Sequence, residues 1–228
     1  MNYNAQNDIN TYRSYFENNF AKPFIYGQGT EDILNVIHEF SHAGTCLDLG
    51  GGVNSYFWSI PADYTKIVNV DVSYETYKIC QELKANRFDQ GCYQYAFKRY
   101  HRFPGDIYNR EMEFICADVL NAPFYLAEQF DTVTQFGLLG LLPSSDLYKS
   151  KLLELFSLVK VGGVFIGANW MLSPKLSNIR SQSNSYLSPE LLNNLAIEAN
   201  GFLLYNELLP INNDVNYTGV LVYAVTKR

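Results

Sequence analysis

The chain has 228 residues, of which 47% are hydrophobic and 18% charged, with a formal net charge of −6. This length can bury a sizeable core, and the negative charge argues against a nucleic-acid partner that is held through its phosphates. With no membrane-length apolar segment, no signal-peptide pattern and four cysteines without close pairing or metal-ligand spacing, we expect a cytoplasmic protein without a membrane partner or a metal, whose oligomeric state stays open.

The first part of the chain predicts a helical segment, which we call the N-terminal cap (residues 1–44). Ile33, Leu34 and Ile37 recur at helical spacing and share one face. Thr30 is predicted to be the N-cap of this helix, because carboxylates follow it in the first turn. An earlier polar stretch with scattered aromatic residues predicts a second cap helix.

From residue 45 onward the pattern changes to alternating strands and helices. Seven apolar runs predict strands, at Cys46–Leu49, Ile67–Val70, Glu113–Ala117, Thr132–Phe136, Val164–Ala168, Phe202–Leu208 and Val220–Val225. Helical stretches separate the first six runs, which indicates a parallel sheet covered on both faces. The last two runs are joined by a segment too short for a crossover helix, so they should pair antiparallel.

The predicted fold is therefore α/β and Rossmann-like, with a seven-stranded, mostly parallel sheet that ends in an antiparallel hairpin. Two helices have clear ends: one over Leu147–Val159 led by Ser144 or Ser145, and one that begins at Ser188 and stops at Gly201. Residues 86–110 are aromatic and poorly periodic, and we interpret them as a loose insertion. We expect a single domain, with residues 45–228 as its α/β part after the N-terminal cap.

Three polar features fall at three successive strand ends. In such a sheet the ligand lies beyond the carboxyl ends of the strands. Gly50-Gly51-Gly52 follows the first strand and lets the backbone approach a ligand closely. Asp71 ends the second strand, where an acid commonly holds a ribose diol. Asp118 ends the third strand, where an adenine amino group could be recognised. Together the three predict a nucleoside site.

This series of motifs resembles that of the Rossmann-like, class I S-adenosylmethionine-dependent methyltransferases. The matching segments are Asp48–Gly52, Asp71, Cys116–Val119, Phe130-Asp131 and Leu158–Gly163. The resemblance covers about residues 45–228, and the hairpin-terminated sheet is also typical of that family. It implies S-adenosylmethionine as the cofactor.

The resemblance also implies roles for individual residues. Gly50 and Gly52 would line the methionine moiety, and Asp71 would bind the ribose hydroxyls. The full set of predicted cofactor residues is Tyr15, Asp48, Gly50, Gly51, Gly52, Asn54, Asp71, Asp118, Val119, Thr134 and Gln135. In this set Asp118 and Val119 would face the adenine, and Thr134 and Gln135 would lie beneath the sulfonium. Asn54 departs from the family pattern, because it stands where a third glycine is usual.

A narrower resemblance is to the nicotinamide, indolethylamine and phenylethanolamine N-methyltransferases. Residues 12–16, the loop at Asp48–Tyr56 and the insertion at Asn86–Arg110 are similar to the tyrosine-bearing cap, the cofactor loop and the insertion of that group. In that group the cap tyrosines touch the cofactor carboxylate, which here implies Tyr12 and Tyr15.

The acceptor is predicted to be a small molecule held under an aromatic lid. Its predicted contacts are Tyr12, Tyr26, Phe136, Asn169 and Trp170. No histidine follows the fourth strand and no catalytic base is identified, which favours a nitrogen acceptor slightly over a hydroxyl. Three alternatives remain open: an O-methyltransferase, a nicotinamide-cofactor oxidoreductase, and a non-catalytic nucleoside-binding protein.

Overall fold

The computed structural model describes residues 9–127, 129–212 and 214–228, so the first eight residues of the predicted cap lie outside it. The strands are β1 (Gly44–Leu49), β2 (Tyr64–Asp71), β3 (Glu111–Cys116), β4 (Phe130–Phe136), β5 (Val159–Leu172), β6 (Gly201–Pro210) and β7 (Tyr217–Lys227). The helices are α1 (Ile9–Asn19), α2 (Thr30–Phe40), α3 (Ser55–Ser59), α4 (Tyr74–Asn86), α5 (Cys92–Arg99), α6 (Pro104–Tyr108), α7 (Ser145–Phe156), α8 (Pro174–Arg180) and α9 (Pro189–Glu198).

The seven strands form one sheet in the order β3-β2-β1-β4-β5-β7-β6. The first five strands of this order are mutually parallel, and β7 runs antiparallel to both β5 and β6. The predicted fold class is therefore confirmed. Strand order reverses between β1 and β4, and a ligand site is expected beyond their carboxyl ends.

Two of the predicted helix starts are confirmed, and one is wrong. The hydroxyls of Ser144 and Ser188 accept hydrogen bonds from backbone N–H groups of the first turns of α7 and α9, at 3.3 and 3.1 Å. Thr30, in contrast, is the first helical residue of α2, and the N-cap is Gly29. Gly29 has a φ of 81° and packs so tightly against Val220 that a side chain would not fit.

The end of α7 also differs from the prediction. The helix stops at Phe156, whereas the apolar periodicity suggested that it continues to Val159. Val159 instead pairs with Phe130 as the first residue of β5. The apolar run there continues from the end of α7 into the start of β5, and periodicity alone cannot separate the two elements.

The core has one apolar layer on each face of the sheet. The first layer joins α1 to α6 against the sheet, and the second joins α7 and α9 to the opposite face. The insertion is not loose as predicted, because Tyr93, Ile107 and Tyr108 are fully buried in the first layer. Phe16 of α1 packs edge-on against Phe88, with ring centroids 5.2 Å apart. Among the described residues, no helix is both long and apolar enough to cross a membrane.

Candidate cofactor and acceptor site

A cleft of about 550 Å³ opens at the carboxyl ends of the central strands. Its walls come from the loop after β1, the segment after α1, the ends of β4 and β5, and the hairpin between β6 and β7. Small-molecule sites are commonly clefts of about this size, roughly 300–1,000 Å³. The cleft therefore lies where the topology places a ligand.

The glycine loop, Gly50–Gly52, forms one wall of the cleft. Gly50 and Gly52 have φ angles of 64° and 54°, in the left-handed region that favours glycine. A Cβ at Gly51 would collide with the side chains of Asp48 and Ser55. A Cβ at Gly52 would meet no atom closer than 3.9 Å, so this stretch of backbone is open to a ligand.

Two side chains of β2 bind the glycine loop at Gly52, one at its N–H and the other at its carbonyl. Asp71 accepts a hydrogen bond from the Gly52 N–H at 3.1 Å and one from the Ser73 N–H at 3.0 Å. Asn69, which is fully buried, donates to the Gly52 carbonyl at 3.1 Å. Burial raises the pKa of the Asp71 carboxyl to about 6. The structure thus brings the predicted acid and glycine loop together.

Asp48 lies beneath the loop with its carboxyl group buried. Thr134 donates a hydrogen bond to Asp48 Oδ1 at 2.8 Å, and the Ser55 hydroxyl is close enough to the carboxyl to oppose the rise of its pKa. Burial raises the pKa of this carboxyl. Thr134 is itself buried and supports Asp48 without lining the cleft, and its predicted place beneath the sulfonium stays a prediction.

Asn54 begins α3 but does not cap it with its side chain. An asparagine at this position usually accepts a hydrogen bond from the first turn of its helix, and here no such bond forms. The side chain lines the cleft and is 6% exposed, and its Oδ1 has no partner among the described residues. The predicted departure from the glycine pattern therefore places an unpaired amide oxygen at the site.

Gln135 and Asn169 point away from the cleft, which corrects two predicted roles. Successive strand residues face opposite sides of a sheet, and their neighbours Phe136 and Trp170 are the ones that line the cleft. Gln135 donates to the Tyr223 hydroxyl at 2.9 Å and accepts from the Leu139 N–H at 3.1 Å. Both predicted residues are fully buried in a polar network under the turn after β4.

The same network extends through Asn169. Its Oδ1 accepts from the Gly140 N–H at 2.8 Å, and its Nδ2 donates to the Tyr148 hydroxyl at 3.0 Å. The network therefore holds the turn that carries Leu138. Because Leu138 packs against Gly50, where a Cβ would approach it to 3.0 Å, the turn supports the glycine loop from the side.

Asp118 and Val119 lie after β3, beyond the walls of the described cleft. Val119 is 4% exposed and belongs to the second apolar layer, while Asp118 is exposed. The Asp118 carboxylate accepts hydrogen bonds from the N–H groups of Leu120 and Asn121 at 3.1 and 3.0 Å. Their predicted adenine contacts stay a prediction.

Three of the four aromatic acceptor contacts predicted from the sequence line the cleft: Tyr12, Phe136 and Trp170. Tyr15, the predicted cofactor contact in the cap, lines it as well, with 49% of its surface exposed. Tyr26 does not, because it is 68% exposed and packs on the ring of Tyr95, 5.5 Å away between centroids.

Sequence reasoning missed several wall residues. Trp58 faces the cleft with its ring centroid 4.7 Å from that of Phe136, and Phe20 and Phe24 close the cap side. Trp58 lies four residues after Asn54, one helical turn along α3. Helical spacing from the glycine loop could therefore have identified it. Asn69 was missed too. A polar residue inside an apolar strand indicates a buried hydrogen bond, so the sequence did contain a signal for it.

Several solved structures with this architecture are named as methyltransferases or as complexes with S-adenosylmethionine or S-adenosylhomocysteine. A structure titled DhpI–SAH complex aligns over 98% of this chain and 96% of its own, with a TM-score of 0.61 and 14% identity. An S-adenosylmethionine-dependent methyltransferase from Clostridium acetobutylicum aligns over 96% and 98%, with a TM-score of 0.57 and 14% identity. The fold is that of the class I S-adenosylmethionine-dependent methyltransferases. The N-methyltransferase NodS from Bradyrhizobium japonicum aligns over 87% and 94%, with a TM-score of 0.55 and 12% identity.

Similarity at this level of identity shows the fold. No protein-family model matches the chain, and no curated protein is significantly similar to it in sequence. None of the comparisons shows the narrower resemblance to the nicotinamide N-methyltransferase group. No cluster of three or more His, Cys, Asp or Glu side chains in the described ranges could hold a metal ion.

Proposed function

We propose that this protein transfers a methyl group from S-adenosylmethionine to a small-molecule acceptor, with an amine nitrogen preferred. One observation carries the proposal: the Asp71 carboxylate accepts a hydrogen bond from the N–H of Gly52, and Gly52 lines an aromatic cleft on this fold. A carboxylate beside a glycine loop suits the ribose hydroxyls and amino acid end of a nucleoside cofactor.

The residues present fit this cofactor. Asn54 Oδ1 is a buried acceptor without a partner in the described ranges, the Asp48 carboxyl has the hydroxyls of Thr134 and Ser55 as neighbours, and both Asn54 and Asp48 line the cleft. Burying such atoms is costly unless a donor reaches them, and the ammonium group of a methionine moiety is a donor with three N–H bonds. The open backbone at Gly52 leaves space beside them.

The rest of the cleft suits a flat or cationic acceptor. Its far wall consists of aromatic rings, among them Phe20, Phe24, Trp58, Phe136 and Trp170. S-adenosylmethionine supplies a methyl group on a positively charged sulfur that leaves as a neutral thioether. The protein therefore has mainly to align the acceptor with that carbon and exclude water, and rigid rings can do both.

The preference for nitrogen rests on the groups that line the cleft. A neutral amine carries its own lone pair, whereas a hydroxyl acceptor usually needs a base. None of the three histidines lines the cleft, and its two carboxyl groups already accept hydrogen bonds, Asp48 from Thr134 and Asp214 from the N–H groups of Asn216 and Tyr217. Burial raises the pKa of the Cys92 thiol to about 11, so this wall residue is a poor base near neutral pH. An amine is therefore the acceptor that these residues serve best.

Other features agree with a small acceptor in a reducing compartment. All four cysteines are free thiols, of which three are buried, and we propose a cytoplasmic location on that basis. Two similar folds are named as a NodS N-methyltransferase and a magnesium protoporphyrin IX methyltransferase. The net charge of −6 continues to argue against a nucleic-acid acceptor.

Calorimetric titration with S-adenosylhomocysteine tests the cofactor part of the proposal. We expect saturable binding, and we expect Gly50→Val to abolish it, because Gly50 has a positive φ and a Cβ there would crowd the side chain of Leu138 at 3.0 Å. Gly162→Val is the matched control, since Gly162 also has a positive φ of 78° but a Cβ there would meet no atom within 4 Å. Full affinity in a folded Gly50→Val variant would contradict the proposal.

A screen of small amines, phenols and carboxylates for release of S-adenosylhomocysteine tests the acceptor part. We expect turnover with amines that carry a flat or apolar group. A strict preference for phenols or carboxylates would overturn the nitrogen preference alone, while methylation of a folded protein or nucleic acid would overturn the small-molecule assignment.

A further inference from the structure

An ion pair on α7 grips the loop that follows β3, which we call the β3 loop (residues 117–127). Lys151 and Glu154 lie one helical turn apart, with Lys151 Nζ 2.9 Å from Glu154 Oε2 and 3.1 Å from Oε1. Their side chains are only 11% and 21% exposed. Surface ion pairs of this spacing contribute little, but this pair is largely removed from solvent.

Each member of the pair also binds the backbone of the β3 loop. Lys151 Nζ donates to the Ala122 carbonyl at 3.0 Å, and Glu154 Oε1 accepts from the Phe124 N–H at 2.7 Å. Hydrogen bonds to charged groups are stronger than those between neutral groups. The pair thus holds the loop at two points, two residues apart, with one donor and one acceptor.

Asp118 and Val119 lie near the start of this loop. Val119 and Phe124 are buried in the same apolar layer as Leu152 and Leu155 of α7, so the loop is also anchored by its side chains. Burial acts to raise the pKa of Asp118, but hydrogen bonds within the loop and the positive charge of Lys151 outweigh it and lower the pKa. Lys151 therefore influences both the position and the charge of Asp118.

We propose that Lys151 and Glu154 are positioning residues for recognition of the cofactor base. They fix the β3 loop so that Asp118 and Val119 present a rigid edge to the adenine. This inference rests on the proposed function, because it assumes that the base of S-adenosylmethionine lies beyond β3. Neither residue lines the described cleft, so both act through the loop.

A second ion pair provides a matched control. Lys78 and Glu75 lie at the same spacing on α4 and are joined at 2.8 Å, but their side chains are 50% and 30% exposed. Their hydrogen bond links two side chains of one helix. Removing Lys78 therefore tests the loss of a helical ion pair without the loss of a grip on the β3 loop.

The experiment measures calorimetric affinities for S-adenosylhomocysteine and for its deaminated analogue, S-inosylhomocysteine. The wild type should favour the adenine compound, because a carboxylate accepts from an amino group that the analogue lacks. Lys151→Met should reduce affinity for S-adenosylhomocysteine about tenfold and reduce the preference for adenine, since a mobile loop loses the hydrogen bond and the pre-organisation. Lys78→Met should leave both quantities unchanged.

A charge-swapped double variant separates the loop grip from the ion pair. Combining Lys151→Glu with Glu154→Lys keeps opposite charges at the same spacing on α7, but the new side chains cannot reproduce the hydrogen bonds to Ala122 and Phe124. We expect it to lose the adenine preference as Lys151→Met does. Glu154→Gln, which keeps an acceptor for the Phe124 N–H, should retain most of the preference and gives a milder variant if the others do not fold.

The outcomes distinguish the two proposals. A wild type that binds neither compound overturns the proposed function and this inference with it. A wild type that prefers adenine, together with a folded Lys151→Met or charge-swapped variant that keeps the full preference, overturns the inference alone. A loss of preference that Lys78→Met reproduces also overturns it, because the effect would then be general.

Discussion

Acidification should weaken cofactor binding through the carboxyl group of Asp71. Its pKa is raised to about 6 by burial, although the N–H groups of Ser73 and Gly52 donate to it and oppose the shift. Ribose hydroxyls would add two further donors, and donors favour the charged form of a carboxylate. Bound S-adenosylhomocysteine should therefore lower this pKa, and by linkage its affinity should fall as the pH drops below the pKa of the free protein.

The magnitude follows from the pKa of about 6. One pH unit below it, roughly a tenth of the free protein carries an ionised Asp71, so the apparent affinity should be about tenfold lower than its plateau. That ratio corresponds to about 1.4 kcal/mol. Above the pKa the carboxylate is already formed, and the affinity should no longer depend on pH through this group.

The assay is calorimetric titration with S-adenosylhomocysteine between about pH 5 and pH 8, on the wild type and on Asp71→Asn. The asparagine keeps an acceptor oxygen but cannot ionise, so its affinity should be lower and the contribution of Asp71 to the pH profile should vanish. Asp48, whose pKa burial also raises, is present in both proteins, so the difference between their pH profiles reports the ionisation of Asp71 together with its electrostatic effect on Asp48. Equal pH slopes in the two proteins would refute the reasoning.

Three further predictions concern the network, the acceptor wall and the cap. Tyr223→Phe should lower the free energy of unfolding in urea by about 1–3 kcal/mol, because it leaves the buried Gln135 amide without its acceptor; an unchanged value contradicts the network's role. Trp170→Leu should reduce kcat/KM for the best acceptor about tenfold while the affinity for S-adenosylhomocysteine stays the same. A loss of cofactor affinity instead would show that Trp170 contacts the cofactor and not the acceptor. Deletion of residues 1–28 should abolish turnover and lower Tm, since it uncovers the rings under Phe16, and full activity after it would refute the lid.

The architecture could be predicted because its signals are local. Each apolar run in the sequence lies within a strand of the sheet or overlaps one closely, and Asp71 stands where a strand end meets the glycine loop. The serine N-caps of α7 and α9 could also be predicted, because a hydroxyl just before a helical run commonly accepts a hydrogen bond from the first turn of the helix. These features depend on neighbours in the chain.

The orientation of strand residues toward the cleft could not be predicted in the same way. A parallel sheet is buried on both faces, so its strands show little polar alternation, and the sequence does not say which face of β4 or β5 meets the ligand. Gln135 and Asn169 were therefore placed on the wrong side. The prediction of Thr30 as an N-cap was wrong for a different reason. The N-cap position of Gly29 depends on its packing against Val220, which is a contact between residues distant in sequence.

The most direct test of the whole account is a crystal structure of the protein with S-adenosylhomocysteine. We expect the ribose hydroxyls within hydrogen-bond distance of Asp71, the methionine end against Gly50–Gly52 with its ammonium at Asp48 or Asn54, and the sulfur facing the aromatic wall. A ligand bound elsewhere, or a bound nucleoside with the Asp71 carboxylate turned away from its ribose, would contradict it.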